Sequence, residues 1–134
     1  AEAREIGDVL MRKVHSIEEQ VLEMINASAR SVDPNEFLCM MRAEEGVIVE
    51  LILLPGTVSG DSHGIIDIWM APVDFSICGS VHSHPGYSHE PSDDDLEFFR
   101  RWGGVHIISC RPYDMRSWCA YDSNGRKADL KVIP

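Results

Sequence analysis

The sequence lacks any long hydrophobic run. Its longest apolar segments, such as residues 51–54, are far shorter than the roughly 20 residues that an α-helix needs to cross a bilayer. Residues 1–5 are charged or small and lead into no apolar signal-peptide segment. We therefore expect no membrane partner, and the cytoplasm is the expected location.

Cysteine is scarce. Four cysteines in 134 residues are too few for a disulfide-stabilised scaffold, and none has the C-x-x-C spacing of a zinc knuckle or a dithiol redox pair. Small buried thiols are therefore expected. Cys110 and Cys119 could face each other across a hairpin, so a disulfide between them stays open.

Positive charge is also scarce. The chain has 12 Lys and Arg against 22 Asp and Glu, which gives a formal net charge of −10 at pH 7. Such a charge repels phosphate backbones and argues against a nucleic-acid partner. The rest of the composition, 44% hydrophobic and 25% charged, is that of an ordinary globular domain. Nothing in it indicates an oligomeric state.

The spacing of apolar residues predicts an α/β domain. Two helical pieces, or one kinked helix, are predicted over 4–14 and from Ser16, which has capping-box spacing to Glu19, to the proline at 34. A third helix, with acids in its first turn, is predicted after Ser92. Strands are predicted at 37–41, 47–54, 65–70, 77–84, 105–110, 117–121 and 128–133, with turns at 44–46 and 124–125. The expected fold is a single domain with a mixed, mostly antiparallel sheet flanked by helices.

Three residues have the spacing of a catalytic metal site. Alternate side chains of a strand share a face, so His82 and His84 can direct two imidazoles at one ion. A strand-loop-helix reversal brings Asp95, in the first turn of the next helix, back to the end of that strand. Two His and one carboxylate with an open fourth position are typical of catalytic zinc, whereas structural zinc sites are usually closed by four ligands, mostly Cys.

Each part of this pattern also has a structural explanation. A His-x-His pair is often two polar residues on a solvated strand face, and Ser92-x-x-Asp95 is ordinary for a helix cap. However, the two parts meet across a proline-bounded loop at the carboxyl end of a strand, a preferred position for ligands in α/β sheets. The conjunction favours a metal site, with Asp93 and Asp94 at the helix dipole and Asp95 turned inward.

The same residues resemble the JAMM, or MPN-plus, metalloproteases, whose signature is H-x-H-P, six residues, S-x-x-D and an upstream Glu. Every fixed position of the H-x-H-P and S-x-x-D parts is matched, by His82, His84, Pro85, Ser92 and Asp95. The similarity to short stand-alone archaeal members covers about residues 16–133. We therefore expect a JAMM/MPN domain over 16–134, preceded by a helical N-terminal extension over 1–15.

The resemblance implies one catalytic Zn²⁺, held by His82, His84 and Asp95 with a water as fourth ligand. It also implies that Glu36 is the general base and that Ser92 stabilises the oxyanion. Glu36 is the only acid in the otherwise apolar run 36–41, although a solvent-facing carboxylate at the strand entrance is the alternative. The chemistry needs both groups, because zinc lowers the pKa of bound water to about 7, a carboxylate accepts its proton, and a hydroxyl can stabilise the oxyanion.

The resemblance further implies a substrate class. The expected function is a zinc-dependent isopeptidase that cleaves between the C-terminal glycine of a ubiquitin-like modifier and a target lysine, with ubiquitin-like proteins and their conjugates as partners. The chain looks too short for the insertions with which eukaryotic deubiquitinases grip a second ubiquitin, which favours the archaeal type. Two alternatives stay open: a processing peptidase for ubiquitin-like or sulfur-carrier precursors, and a non-catalytic MPN-type scaffold. A zinc deaminase is disfavoured, because neither H-x-E nor P-C-x-x-C occurs.

Other residues of the chain are possible parts of the site or of the core, and among them His63 is expected to be structural. His89 and Glu90 are candidates for the edge of the site, with a solvated loop as the alternative. Trp69 and Met70 could border the substrate path, because family members bind an extended C-terminal tail as an added strand, with a place in the core as the alternative. His106 is expected to be structural.

Overall fold

The computed structural model describes residues 14–53 and 77–134. They form one eight-stranded mixed sheet with a helix on each face. The strands are β1 (Ser16–Glu18), β2 (Leu38–Glu44), β3 (Val47–Ile52), β4 (Ile77–His84), β5 (Val105–Cys110), β6 (Trp118–Tyr121), β7 (Lys127–Ala128) and β8 (Lys131–Ile133), and the helices are α1 (Glu19–Val32) and α2 (Asp93–Trp102). The predicted fold class is confirmed. Neither described helix is long and apolar enough to cross a bilayer.

The sheet curls until its two edges approach each other. Its strand order is β7-β6-β5-β4-β2-β3-β1-β8, so β7 and β8 are the edges. Only Asp129 and Leu130 separate these two strands in the chain, and three Cα–Cα steps span at most about 11 Å. The sheet is therefore curled, and the ends of its two edge strands lie close together where the chain passes from β7 to β8.

Helix α1 covers one face of the sheet because its apolar residues share one side. Val21, Leu22, Ile25 and Ala29 follow helical spacing and are buried. The helix ends at Val32, and Asp33 caps its carboxyl end with a backbone N–H that donates to the carbonyl of Ala29. The predicted end of this helix, before the proline at 34, is confirmed.

The β2–β3 hairpin is built by a two-residue turn. Glu45 and Gly46 both have positive φ, 50° and 83°, which matches the twist of the flanking strands. Glu44 and Val47 are therefore direct partners at the end of the ladder. The turn predicted over 44–46 is confirmed, and so is the one predicted over 124–125, where Gly125 has φ 78°.

Strand β4 lies in the middle of the sheet and carries the predicted metal ligands. It pairs antiparallel with β2 and parallel with β5, and every residue from Ile77 to Ser83 is buried. Helix α2 packs on the face opposite α1, through the buried rings of Phe98 and Phe99. The carboxyl end of β4 and the start of α2 are thereby brought together.

The helix predicted from Ser16 begins later than expected, and the predicted capping box between Ser16 and Glu19 is wrong. Residues Ser16–Glu18 form β1, which pairs in parallel with both β3 and β8. The N-cap of α1 is Glu18, without a side-chain capping hydrogen bond, and the Ser16 hydroxyl bonds to the ring of His15 instead. Pairing with two strands satisfies more backbone groups than a local cap, so tertiary context decided this segment.

The single strand predicted over 128–133 is also wrong. Lys127–Ala128 pairs with β6 and Lys131–Ile133 pairs with β1, so the chain crosses between the two edges of the curled sheet. Alternating apolar residues indicate a strand but carry no information about its partner. The predicted helix over 4–14 and the predicted strand over 65–70 lie outside the described residues, as do Trp69 and Met70.

We expect Gly79→Ala to destabilise the fold strongly. A Cβ at Gly79 would lie 1.5 Å from the carbonyl oxygen of Val105, its partner on β5, and backbone must move to admit it. The loss in free energy of unfolding, measured by urea denaturation, should be about 1–3 kcal/mol or more. Gly86→Ala is the control, because no described atom lies within 4 Å of its Cβ position. Equal urea midpoints for the two variants would contradict this packing.

Candidate metal centre

Strand β4 places two imidazoles side by side. His82 and His84 project from the face that carries α2, and their ring centroids lie 5.1 Å apart. The ring of Phe99 on α2 lies 6.4 Å from that of His82, whose exposed fraction is only 7%. The predicted convergence of the two histidines is therefore present in the fold.

Helix α2 supplies the carboxylate through its capping box. The Ser92 hydroxyl accepts the backbone N–H of Asp95 at 3.1 Å, and Asp95 Oδ2 accepts the backbone N–H of Ser92 at 2.9 Å. These two bonds fix the Asp95 side chain, which is buried, whereas Asp93 and Asp94 are exposed at the helix start. Asp95 therefore belongs to the helix cap and also turns inward, although the sequence presented these two roles as alternatives.

The three side chains converge on one point. Nε2 of His82 lies 3.0 Å from Asp95 Oδ1, and Nε2 of His84 lies 3.0 Å from Oδ2. His82 Nε2 is nevertheless a buried polar atom with no hydrogen-bond partner among the described residues, because its approach to Oδ1 lacks hydrogen-bond geometry. Such atoms are rare and costly. A metal ion would satisfy it, since the ligand atoms all lie within 4.8 Å of one another.

The tautomer of His84 leads to the same conclusion. Its Nδ1 lies 3.2 Å from the carbonyl oxygen of Ser88, which can only accept, so Nδ1 carries a hydrogen. In a neutral ring Nε2 is then an acceptor, and it faces the carboxylate of Asp95, which is also an acceptor. A cation between them removes this conflict, and a hydrogen bond from the second ring nitrogen to a carbonyl is the usual support of a metal-binding histidine.

The neighbouring charges shift the pKa values of His84 and Asp95 in opposite directions. Burial lowers the pKa of His84, but the hydrogen bond and the charge of Asp95 outweigh it and raise the pKa. Burial likewise raises the pKa of Asp95, yet the two imidazoles and the Ser92 N–H together hold it well below its usual range. The carboxylate is therefore ionised, as a metal ligand must be.

Glu36 lies beside this cluster, just before β2, and is half-buried. Burial raises its pKa, the charges of His82 and His84 act in the opposite direction, and the charge of Asp95 raises it further. These interactions place the carboxylate within electrostatic reach of all three ligands. Its role as the general base stays a prediction.

Ser83, between the two histidines, connects this segment to β4. Its hydroxyl accepts the backbone N–H of Phe37 at 2.8 Å, and its own N–H donates to the carbonyl of Phe37 at 2.9 Å. Phe37, the residue after Glu36, is thus held opposite the part of β4 that carries His82 and His84. This role of Ser83 has no local sequence signal, because only the strand pairing shows what Ser83 faces.

Ser92 is exposed at the mouth of the site. Because its oxygen accepts the N–H of Asp95, the hydroxyl hydrogen is available for donation to another group. Its predicted role in stabilising an oxyanion is compatible with this arrangement and stays a prediction.

The other candidates lie outside the converging triad. His89 is tied to Tyr121, whose hydroxyl donates to the His89 carbonyl at 2.8 Å, and Glu90 is exposed. His106 is fully buried, which lowers its pKa to about 3, and its ring stacks on that of Phe99 with centroids 4.3 Å apart. His106 is therefore a core residue, as expected.

All four cysteines are free, so the question of a disulfide between Cys110 and Cys119 is answered. A charged cluster around Asp33, three residues before Glu36 in the chain, was not predicted from the sequence. Arg111 makes two hydrogen bonds to Asp33, and the Tyr113 hydroxyl donates a third. Asp33 and Arg111 are 78 residues apart, so no local pattern could pair them.

Known proteins are similar to this chain in sequence and in fold. Residues 2–121 match the family model described as prokaryotic homologs of the JAB domain. A probable metalloprotease from Haloferax volcanii is 34% identical over 132 residues, which cover 91% of this chain and 81% of the relative.

Two solved structures are similar as well. One, described as a JAMM metalloprotease-like zinc site in the proteasome and signalosome, is 34% identical, with a TM-score of 0.72 over 90% of this chain and 99% of its own. The other, a JAB1/MPN domain protein from Archaeoglobus fulgidus, is 35% identical, with a TM-score of 0.73 over 89% of this chain and 99% of its own.

The fold and the triad together define a JAB1/MPN domain of the metal-binding type. Within that class, the chain belongs to the family of prokaryotic homologues of the JAB domain, because the family model spans most of its length. The resemblance to JAMM proteins that the signature indicated is confirmed.

We expect His84→Ala to abolish metal binding, because it removes one of three converging ligands. Added Zn²⁺ should raise the melting temperature of the wild-type protein, since a ligand at 100 times its Kd stabilises a fold by about 2.7 kcal/mol, and should leave that of the variant unchanged. His15→Ala is the control, because this histidine is exposed and remote from the triad. A zinc-dependent shift that persists in His84→Ala would contradict the assignment.

Proposed function

We propose that this protein is a zinc-dependent isopeptidase that removes ubiquitin-like modifiers from target lysines. By its family and its site, the chain is a JAMM-type metalloprotease with a triad of His82, His84 and Asp95. The single observation that carries the proposal is the convergence of these three ligands around the buried Nε2 of His82, which has no hydrogen-bond partner in the part of the chain that the structure describes.

The donor set favours zinc and an open coordination position. Two imidazole nitrogens and one carboxylate oxygen are ligands that zinc accepts, and catalytic zinc sites typically have three protein ligands. Within the described residues, the group of potential ligands at this site contains these three side chains. Bound there, zinc supplies Lewis-acid activation of a water molecule and of the scissile carbonyl.

Glu36 moves the proton in the proposed reaction. Its half-buried carboxylate beside the triad accepts a proton as the water oxygen bonds to the carbonyl carbon of the scissile amide. The carbon–nitrogen bond then breaks, and Glu36 returns the proton to the leaving amine of the lysine. The products are the free carboxylate of the modifier and the free lysine amine.

Ser92 binds the charge that develops on the carbonyl oxygen. Its hydroxyl hydrogen is available, and its oxygen is fixed by the N–H of Asp95, so the donor is oriented before the reaction begins. A preoriented donor is worth more than a mobile one, because it needs no reorganisation as charge develops.

Two observations support a ubiquitin-like substrate. The support is the JAMM signature and a similar structure described as a zinc site in the proteasome and signalosome. A processing peptidase would use the same residues on a peptide bond after the terminal glycine of a precursor. The isopeptidase and the processing peptidase are therefore distinguished by which of the two substrates is cleaved.

A cleavage assay with paired substrates tests the proposal. One substrate is a ubiquitin-like protein joined to a lysine by an isopeptide bond, and the other is the same protein with a C-terminal peptide extension. We expect cleavage of the conjugate after the terminal glycine, loss of cleavage with a chelator, and recovery with Zn²⁺. Cleavage of the extension alone would favour the processing peptidase. Zinc binding without cleavage of either substrate would favour the scaffold.

We expect Glu36→Gln to lower kcat about 100-fold or more with zinc still bound, because it removes the proton acceptor and keeps the ligands. The measurement is kcat at saturating conjugate, with zinc content determined on the same sample. Glu23→Gln, on the exposed side of α1, is the matched control and should keep full activity. Loss of zinc from Glu36→Gln would show that Glu36 is a ligand instead of a base.

We expect Ser92→Ala to lower kcat about 100- to 1000-fold, the effect of removing one oxyanion donor. The variant also loses the N-cap of α2, so about 1 kcal/mol of stability should disappear with it. Ser92→Thr keeps both the cap and a hydroxyl and should restore most of the activity. Unchanged kcat in Ser92→Ala would leave Ser92 with its capping role only.

A further inference from the structure

We propose that Asp33, Arg111 and Tyr113 form a clamp that positions Glu36 relative to the metal ligands, an inference that rests on the proposed function. Arg111 donates from Nε to Asp33 Oδ2 at 2.8 Å and from Nη2 to Oδ1 at 2.7 Å. The Tyr113 hydroxyl donates to the same Oδ2. A two-point guanidinium–carboxylate pair fixes orientation as well as distance.

The clamp holds the segment that carries Glu36. Asp33 caps the carboxyl end of α1 and lies three residues before Glu36, so its position sets where the chain enters β2. Tyr113 is anchored separately, because it is buried and its carbonyl accepts a hydrogen bond from Arg30 of α1. With the Ser83 contacts to Phe37 on the other side, Glu36 lies between two fixed points.

The same clamp reaches the loop that follows His84. The backbone N–H of Arg111 donates to the carbonyl of Gly86 at 2.7 Å, and the Tyr113 hydroxyl lies 3.5 Å from the carbonyl oxygen of His84. One cluster therefore contacts both the segment before the proposed base and the loop after a metal ligand. Among the described residues, no hydrogen bond joins the clamp to the ligand atoms of the triad or to the Glu36 carboxylate, so Asp33, Arg111 and Tyr113 are positioning residues.

The charges of the clamp are stable across the pH range of an activity assay. Hydrogen bonds from Arg111 and Tyr113 lower the pKa of Asp33 to about 2. Burial, together with the hydrogen bond and charge of Asp33, raises the pKa of Tyr113 to about 12. At the near-neutral pH of an assay, Asp33 is therefore ionised and the Tyr113 hydroxyl keeps its hydrogen, so both hydrogen bonds to Asp33 can form.

Small displacements of a catalytic group have large kinetic effects, because a shift of about 1 Å can slow a reaction about 100-fold. Asp33→Asn removes the charge, and Tyr113→Phe removes one hydroxyl with little change in volume. In both variants we expect kcat to fall at least about 10-fold while KM stays within about twofold. The absorption spectrum of the Co²⁺-loaded protein should be unchanged, because the three ligands stay in place on β4 and α2.

Arg42→Gln is the matched control. Arg42 also bonds two carboxylates, Glu44 at 2.7 Å and Glu50 at 2.8 Å, and its side chain is 26% exposed against 35% for Arg111. It lies toward the opposite end of β2 from Glu36, where it pairs with Ile77 at the start of β4. Its loss should change neither kcat nor KM.

Hydrogen exchange of the Phe37 amide is the readout that does not depend on activity. This N–H donates to Ser83 and reports the order of the segment next to Glu36. We expect its exchange to accelerate at least about 10-fold in Asp33→Asn and Tyr113→Phe and to stay at the wild-type rate in Arg42→Gln.

The proposed clamp would be wrong if the Phe37 amide exchanged at the wild-type rate in both Asp33→Asn and Tyr113→Phe. It would also be wrong if exchange accelerated in these variants while kcat stayed at the wild-type value. A changed Co²⁺ spectrum would overturn its assignment to Glu36, because the metal ligands would then have moved. If the wild-type protein cleaves no substrate, the proposed function fails, and the exchange rates still decide whether the clamp orders this segment.

Discussion

The Asp95 carboxylate is the group on which the site depends. Its two oxygens face Nε2 of His82 and of His84 at 3.0 Å each, and Oδ2 also accepts the backbone N–H of Ser92. The side chain that closes the capping box of α2 therefore also aligns the two imidazoles. Because capping and metal binding share one carboxylate, the start of α2 cannot shift without moving the site.

The sheet brings distant parts of the chain to this carboxylate. Strand β4 lies between β2 and β5, so its histidines are presented on a rigid, buried strand. Pairing with β2 brings Phe37 to Ser83 and thereby Glu36 to the metal ligands. The curled sheet is thus a frame that fixes two imidazoles, while one helix N-terminus and one strand entrance supply the acids.

Local signals explain which elements could be predicted. The turns at 44–46 and 124–125, the end of α1 and the start of α2 at Ser92 all depend on residues a few positions apart, and the structure confirms them. The predictions failed where a partner strand decided the outcome. Ser16–Glu18 became β1 between β3 and β8, and the segment from 127 to 133 divided between two edges.

By itself, the sequence determined the ligand set, because strand alternation puts His82 and His84 on one face and the helix signature puts Asp95 in a first turn. Only the tertiary structure decided that Glu36 lies beside them, held through Ser83, and that Asp33 pairs with Arg111. These contacts join residues 46 and 78 positions apart. Periodicity and capping act over a single turn or strand, whereas such contacts depend on the order in which the strands pair.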